Sequence, residues 1–128
     1  MKYMIMFLIV IGLALSDILT GLIKAHILGD YCSKIMRQGG LNKIAEAIVM
    51  ATACGLEFGI GMLGVYYDAA ELAGIAGTVT AVSVFMYITV MEVISIFENF
   101  AAMNPDAPWV LAIAKRLRSM QRRDDEHD

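Results

Sequence analysis

Asp17, Glu46, Glu57 and Glu92 stand inside long stretches whose other side chains are almost all hydrocarbon. A carboxylate in such surroundings can exchange a proton, pair with a cation or face enclosed water. Leaving it against lipid costs about 3 kcal/mol or more at bilayer depth, so intramembrane acids are read first as functional groups. The remaining chemically capable residues are dispersed. His26 and His127 are isolated, Cys32 falls in a connecting segment, and Cys54 sits within an apolar stretch. No Ser–His or Cys–His arrangement and no metal-ligand spacing emerges, and two separated cysteines do not make a disulfide framework. Catalytic residues, bound metal and cofactor are therefore not expected, and the chain does not read as an enzyme.

The elements that must position these acids are three apolar stretches at 4–23, 44–67 and 72–97. About 20 apolar residues suffice to cross a hydrocarbon core about 30 Å thick. Hydrophobic residues make up 59% of the 128-residue chain and charged residues 18%, well to the apolar side of soluble domains. Three such helices leave no room for a separate soluble domain. The expectation is an all-α integral membrane protein forming one domain over 1–128, with three transmembrane helices and a C-terminal basic amphipathic helix. Lys2 ahead of an apolar run resembles a secretory leader. The run is nevertheless long enough to span, Asp17 interrupts it, and no small-residue cleavage site follows, so it reads as a retained span.

Orientation follows from the bases. Lys24, Lys34, Arg37 and Lys43 lie between the first two spans, and Lys115, Arg116, Arg118, Arg122 and Arg123 follow the third. The turn between the second and third spans carries Asp68 and Glu71 and no base. Short basic loops stay cytoplasmic. The multi-pass protein is thus expected in a bacterial cytoplasmic membrane, with its N-terminus and acidic turn outside and its C-terminus inside.

At about 100° per residue, Asp17, Gly21 and Lys24 align on one face of the first span with Thr20 beside them. Lys24 can snorkel to the cytoplasmic interface. Asp17 and Lys24 are two turns apart, about 10 Å along the axis, so a partner for Asp17 is sought on another helix or subunit. In the second span Glu46 and Glu57 are eleven residues apart and return to within about 20° of one direction, with Gly61 and Gly64 continuing the face. Nearly opposite, Ala47, Ala51, Gly55 and Gly59 form a small-residue ladder suited to close helix packing. In the third span Thr89, Glu92, Ser95 and Asn99 share a polar side near the cytoplasmic end, where Glu92 and Glu98 either simply reach the interface or serve the polar face. Gly74, Gly77 and Ala81 lighten the other end.

Pro105 and Pro108 break the chain after the third span, and Asp106 is suited to start a new helix. That helix, expected over 107–123, sets Trp109, Ile113, Leu117 and Met120 on one stripe. Bases including Lys115, Arg116 and Arg118 surround it, a pattern that lies on an anionic membrane surface. Residues 124–128 reverse the charge and are expected to be disordered. Bases abutting a membrane do not argue for nucleic acid.

The run Asp17-Ile-Leu-Thr-Gly-Leu-Ile-Lys-Ala25 resembles the D-x-x-T-G-x-x-K-A signature that ends the first span of the phage-lysis and toxin-secretion holins, holin family 4. Ser33 with Gly40-Leu41-Asn42-Lys43-Ile44 resembles that family's S…G-L-x-K-I segment. Glu98-Asn99, followed by a proline break and a basic tail, resembles its E-N…P ending. The similarity runs in order along nearly the whole chain. It departs at Met103-Asn104-Pro105, where a glycine-containing stretch is the family's pattern.

The resemblance implies a protein that gathers with copies of itself in the host membrane. It then opens that membrane at a set time, releasing an endolysin or a large toxin without needing to touch it. Paired starts act as inhibitor and effector in some holins. A Met1 product retains Lys2 and a Met4 product lacks it, so an antiholin partner stands as an alternative to chance placement of an abundant methionine. Two other classes remain open. A small proton-coupled transporter would use Asp17 or Glu57, although no inverted repeat fits within three spans. A membrane adaptor would use the basic tail.

Overall fold

A computed structural model describes residues 1–125. Four helices follow one another: α1 (Lys2–Leu28), α2 (Ser33–Tyr66), α3 (Ala70–Met103) and α4 (Pro108–Asp125). The first three are each long and apolar enough to cross a membrane. The fold is therefore that of an all-α, multi-pass membrane protein. Such a chain must satisfy its backbone within each helix, because hydrocarbon offers no hydrogen-bonding partner. Helices α2 and α3 have 34 residues each, about 51 Å of rise, so both extend past the hydrocarbon core. The basic connection expected before the second span is mostly helix, since α2 starts at Ser33 and carries Lys34, Arg37 and Lys43 on its first turns.

The breaks have local causes. α1 stops at Gly29, whose φ of 66° is left-handed, and the amides of Gly29 and Asp30 both reach back to the Ala25 carbonyl. This helix stop suits glycine, which has no Cβ to clash there. Between α2 and α3, Asp68 adopts φ 55° and Ala69 donates its amide to Gly64 O at 2.7 Å. After α3 the Asn104 side chain returns to the Phe100 carbonyl at 3.0 Å. Pro108 opens α4, where its missing amide costs nothing; Asp106 lies in the preceding turn rather than in the helix. α4 runs on to Asp125, two residues into the stretch expected to be disordered. Residues 126–128, including Glu126 and Asp128, lie outside the described residues.

The ion pairs Lys2–Glu57 and Asp17–Lys43 set α1 antiparallel to α2. Glu57 with Thr78 and Lys43 with Glu92 set α2 antiparallel to α3. A small apolar core of Val10, Met50, Cys54 and Ile88 joins the three, flanked by Tyr3, Met6, Phe7, Val84 and Phe85. Most other large apolar side chains, such as Leu8, Ile48, Phe58 and Ile75, point outward. That distribution suits lipid, which gives no hydrophobic drive for helices to associate.

Close packing of α2 on α3 depends on two glycines. A Cβ on Gly64 would stand 2.2 Å from that of Ala73, and one on Gly77 would stand 3.0 Å from the Glu57 carbonyl oxygen. Ala53 and Ala81 are buried in the same interface direction. The Gly55–Gly59 ladder plays no such part within the protomer: a Cβ at either position meets nothing within 4 Å.

Candidate functional site

The acids and bases of the three spans meet in two polar clusters. In the first, the Lys43 ammonium of α2 lies 2.9 Å from Asp17 Oδ2 of α1 and 2.5 Å from Glu92 Oε1 of α3. Glu46, one turn along on α2, is 3.7 Å from the same nitrogen. One cation thus ties all three helices. Its partners are withdrawn from the exterior, with the side chains of Asp17 and Glu92 at 12% and 0% exposure. Helical spacing brings them there, since Lys43 and Glu46 share a face of α2 as i and i+3 neighbours.

Asn99 extends this seam by a turn. Lys24 donates to Asn99 Oδ1 at 2.6 Å, and Asn99 Nδ2 donates to Asp17 Oδ1 at 3.1 Å and Thr20 Oγ1 at 3.3 Å. Thr20 in turn donates to the Asp17 carbonyl at 3.0 Å. Gly21 lies against the same amide, where a Cβ would stand in ordinary contact at 3.6 Å from Asn99 Nδ2. The Asp17–Thr20–Gly21–Lys24 face of α1 therefore docks on α3 through one buried asparagine. Beside the seam a cleft of about 410 Å³ is lined by Asp17, Gly21, Lys24, Lys43, Ser95 and Asn99. The cluster holds three carboxylates against two ammonium groups. Glu46 Oε2 and Glu92 Oε2 are buried with no hydrogen-bond partner among the described residues. Buried open acceptors cost about 1–3 kcal/mol each, so the seam is a polar reserve rather than a pure adhesive. Among the described residues, no group of three or more His, Cys, Asp or Glu side chains is arranged to hold a metal.

The second cluster lies toward the α2–α3 turn. Glu57 is 7% exposed, pairs with Lys2, and accepts from Thr78 Oγ1 at 2.9 Å. Lys2 also stands 5.1 Å from the centroid of the Tyr3 ring. Glu46 and Glu57 point along similar directions of α2 yet serve different clusters, each with its own lysine.

Several residues fall elsewhere than sequence reasoning placed them. Glu92 does not reach an interface; it is the most buried acid of the bundle, because Lys43 comes to it from α2. Lys24 turns to Asn99 instead of snorkelling freely. Ala51 and Gly55 are exposed, and Ala47 and Gly59 are half-buried, so the ladder faces outward. On α4 the inward stripe is Val110 and Ala114, both buried, with Leu117 half-buried. Trp109 at 63%, Ile113 and Met120 stay exposed, so the stripe expected to be continuous is split between two faces. Arg118 pairs with Glu98 at 3.0 Å and fixes α4 to the end of α3. Lys115 and Arg116 are exposed. Of the further residues in the two clusters, Asn99 is legible on the polar side of the third span and Lys43 in its i, i+3 spacing to Glu46, whereas Lys2 and Thr78 carry no local signal for their part in the second cluster.

Three apolar helices joined to one another by ion pairs between their charged side chains describe a membrane protein. No curated protein and no solved structure matches the chain. The family model described as the bacteriophage holin family matches residues 1–120, which spans all three membrane helices and most of α4. The chain belongs to the bacteriophage holin family.

Proposed function

We propose that this protein accumulates in the bacterial cytoplasmic membrane, associates with copies of itself and opens that membrane at a set time. The opening frees a cell-wall hydrolase or a large toxin to cross. The observation that carries this reading is the division of each protomer into two kinds of surface. Charged and amide side chains are paired in a seam between the spans, while the Ala47–Ala51–Gly55–Gly59 face is left open for a neighbour. Small-residue faces let membrane helices approach closely. A polar seam that is costly against lipid becomes favourable once enough copies gather to enclose water around it.

In this reading the acidic turn at Asp68 and Glu71 is outside, and the basic first turns of α2 and the C-terminus are inside. The N-terminus is on the outer side with the acidic turn. The outward Trp109, Ile113 and Met120 of α4, with Lys115 and Arg116, rest on anionic lipid. The endolysin needs no direct contact.

Induction in bacteria with and without a cytoplasmic cell-wall hydrolase tests the proposal. Growth should stop after a delay in both cultures, with abrupt lysis only where the hydrolase is present. Graded, substrate-dependent uptake would instead identify a proton-coupled transporter. Uninterrupted growth in both cultures would leave an adaptor role.

A further inference from the structure

Two charges that line the cleft beside the three-helix seam are left without a counter-charge. Of its four charged lining residues, Asp17 and Lys43 pair with each other. Lys24 and Asp30 have no ion-pair partner among the described residues. Lys24 is half-buried, and its ammonium meets a neutral acceptor, Asn99 Oδ1, at 2.6 Å. Asp30 follows the Gly29 stop of α1 and is exposed, on the aqueous side of Lys24. Lys34 and Arg37 of the neighbouring turns of α2 do not line the cleft.

The remaining walls are hydrocarbon and bare backbone. Ile18 and Leu22 of α1 and Ile35 and Met36 of α2 line the cleft with exposed side chains. Next along α2 come Gly39 and Gly40, which also line it. Glycine disfavours a helix interior, and no packing within the protomer asks for either one, since a Cβ at each meets nothing within 4 Å. The pair keeps the α2 wall shallow. The resulting volume of about 410 Å³ falls within the range of small-ligand sites, about 300–1,000 Å³. Along the membrane normal the cleft therefore runs from hydrocarbon at Ile18 and Leu22, through a cation at Lys24, to an anion at Asp30. A phospholipid with an amine in its head runs in the same order, from acyl chains through phosphate to ammonium.

We infer that this cleft binds one phospholipid whose head carries both a phosphate and a primary amine. The Lys24 ammonium donates to the phosphate, as cations between membrane helices do toward lipid heads. The Asp30 carboxylate accepts a hydrogen bond from the amine, and the acyl chains lie along Ile18 and Leu22. A choline head has no N–H to donate to Asp30, and a glycerol head brings it no cation. The site requires only that the chain spans a membrane, so it stands apart from the lysis reading.

The test uses the full chain purified in a non-ionic detergent. Cys32 lines the same cleft and is half-buried, so a bound lipid should shield its thiol. Alkylation of Cys32 by a water-soluble maleimide is followed by peptide mass spectrometry. The additions are short-chain phospholipids with ethanolamine, choline or glycerol heads, and phosphoethanolamine without chains. At about ten times its dissociation constant the ethanolamine lipid should slow labelling roughly tenfold, as the unliganded fraction falls by mass action. The choline and glycerol lipids should need roughly tenfold higher concentrations for equal protection, the loss of one charge-assisted hydrogen bond. Asp30→Asn should erase that preference, and Gly40→Leu should abolish protection by filling the cleft. Lys24→Gln should abolish it as well. Should Lys24→Gln fail to fold, Asp30→Asn and Gly40→Leu decide the matter, because neither breaks a side-chain contact of the protomer. Equal protection by the three heads overturns the site, as does a preference that survives Asp30→Asn. Protection by phosphoethanolamine at the lipid's own concentration overturns a lipid as the occupant.

Discussion

Replacing Lys43 by methionine should separate the three spans. The change keeps a long, flexible side chain and removes only the ammonium that lies 2.9 Å from Asp17 Oδ2, 2.5 Å from Glu92 Oε1 and 3.7 Å from Glu46 Oε2. Asp17 and Glu92 are nearly or fully buried, so neither can turn to solvent for a new partner. Removing one member of a buried ion pair costs about 3–5 kcal/mol, because the other charge remains uncompensated. With two buried acids losing the same partner, the upper part of that range is expected, a factor of roughly 10³ in the folding equilibrium. The assay is reversible unfolding in mixed micelles with increasing dodecyl sulfate, followed by helical circular dichroism. A control sharpens it. Lys43→Met combined with Asp17→Leu and Glu92→Leu removes the stranded charges and should recover most of the loss, since apolar replacements of buried ion pairs are often neutral or stabilising. Lys43→Met within about 1 kcal/mol of the parent, smaller than the penalty for a stranded buried charge, would refute the reasoning. So would a triple variant no more stable than the single one.

Four further outcomes follow from the same geometry. Gly64→Ala should weaken the α2–α3 hairpin by about 1–3 kcal/mol through overpacking, because its Cβ would meet that of Ala73 at 2.2 Å and Ala69 O at 3.1 Å. Gly55→Leu, whose new side chain meets no part of its own protomer, should leave micellar stability unchanged and shift lysis timing, read from culture turbidity. Asn99→Leu removes the shared partner of Asp17, Thr20 and Lys24 and should cost about 1–3 kcal/mol in the same unfolding assay, from buried polar groups left unpaired. Arg118→Ala should cost no more than about 1 kcal/mol, since exposed ion pairs contribute little. It should nevertheless raise proteolysis between α3 and α4, because Arg118–Glu98 is an ion pair that joins those helices.

The amino-acid sequence by itself determined three membrane helices, the break at Pro105 and Pro108, and the family. These are local properties: the length of an apolar run, the missing amide of a proline, and a motif read along one strand of text. It also marked Asp17, Thr20, Gly21 and Lys24 as one face, because 3.6-residue periodicity is sufficient to superpose them. Which groups those residues meet was decided only in three dimensions. Lys43 looked like one base among several in a connecting segment until α2 began eleven residues before its apolar run and carried that ammonium in between Asp17 and Glu92. Glu92 looked peripheral by its place near the end of a span, yet it is wholly buried because two other helices cover it. The choice of Gly64 and Gly77 over Gly55 and Gly59 as close-approach points depends on how α2 is rotated toward α3, and every small-residue row is equally eligible in one dimension. The register of α1 was likewise beyond reach of the sequence. An apolar helix slides in lipid at little cost, so its depth is set by the few polar contacts that hold it, the Lys2–Glu57 and Asp17–Lys43 pairs and the Asn99 bonds to Asp17, Thr20 and Lys24.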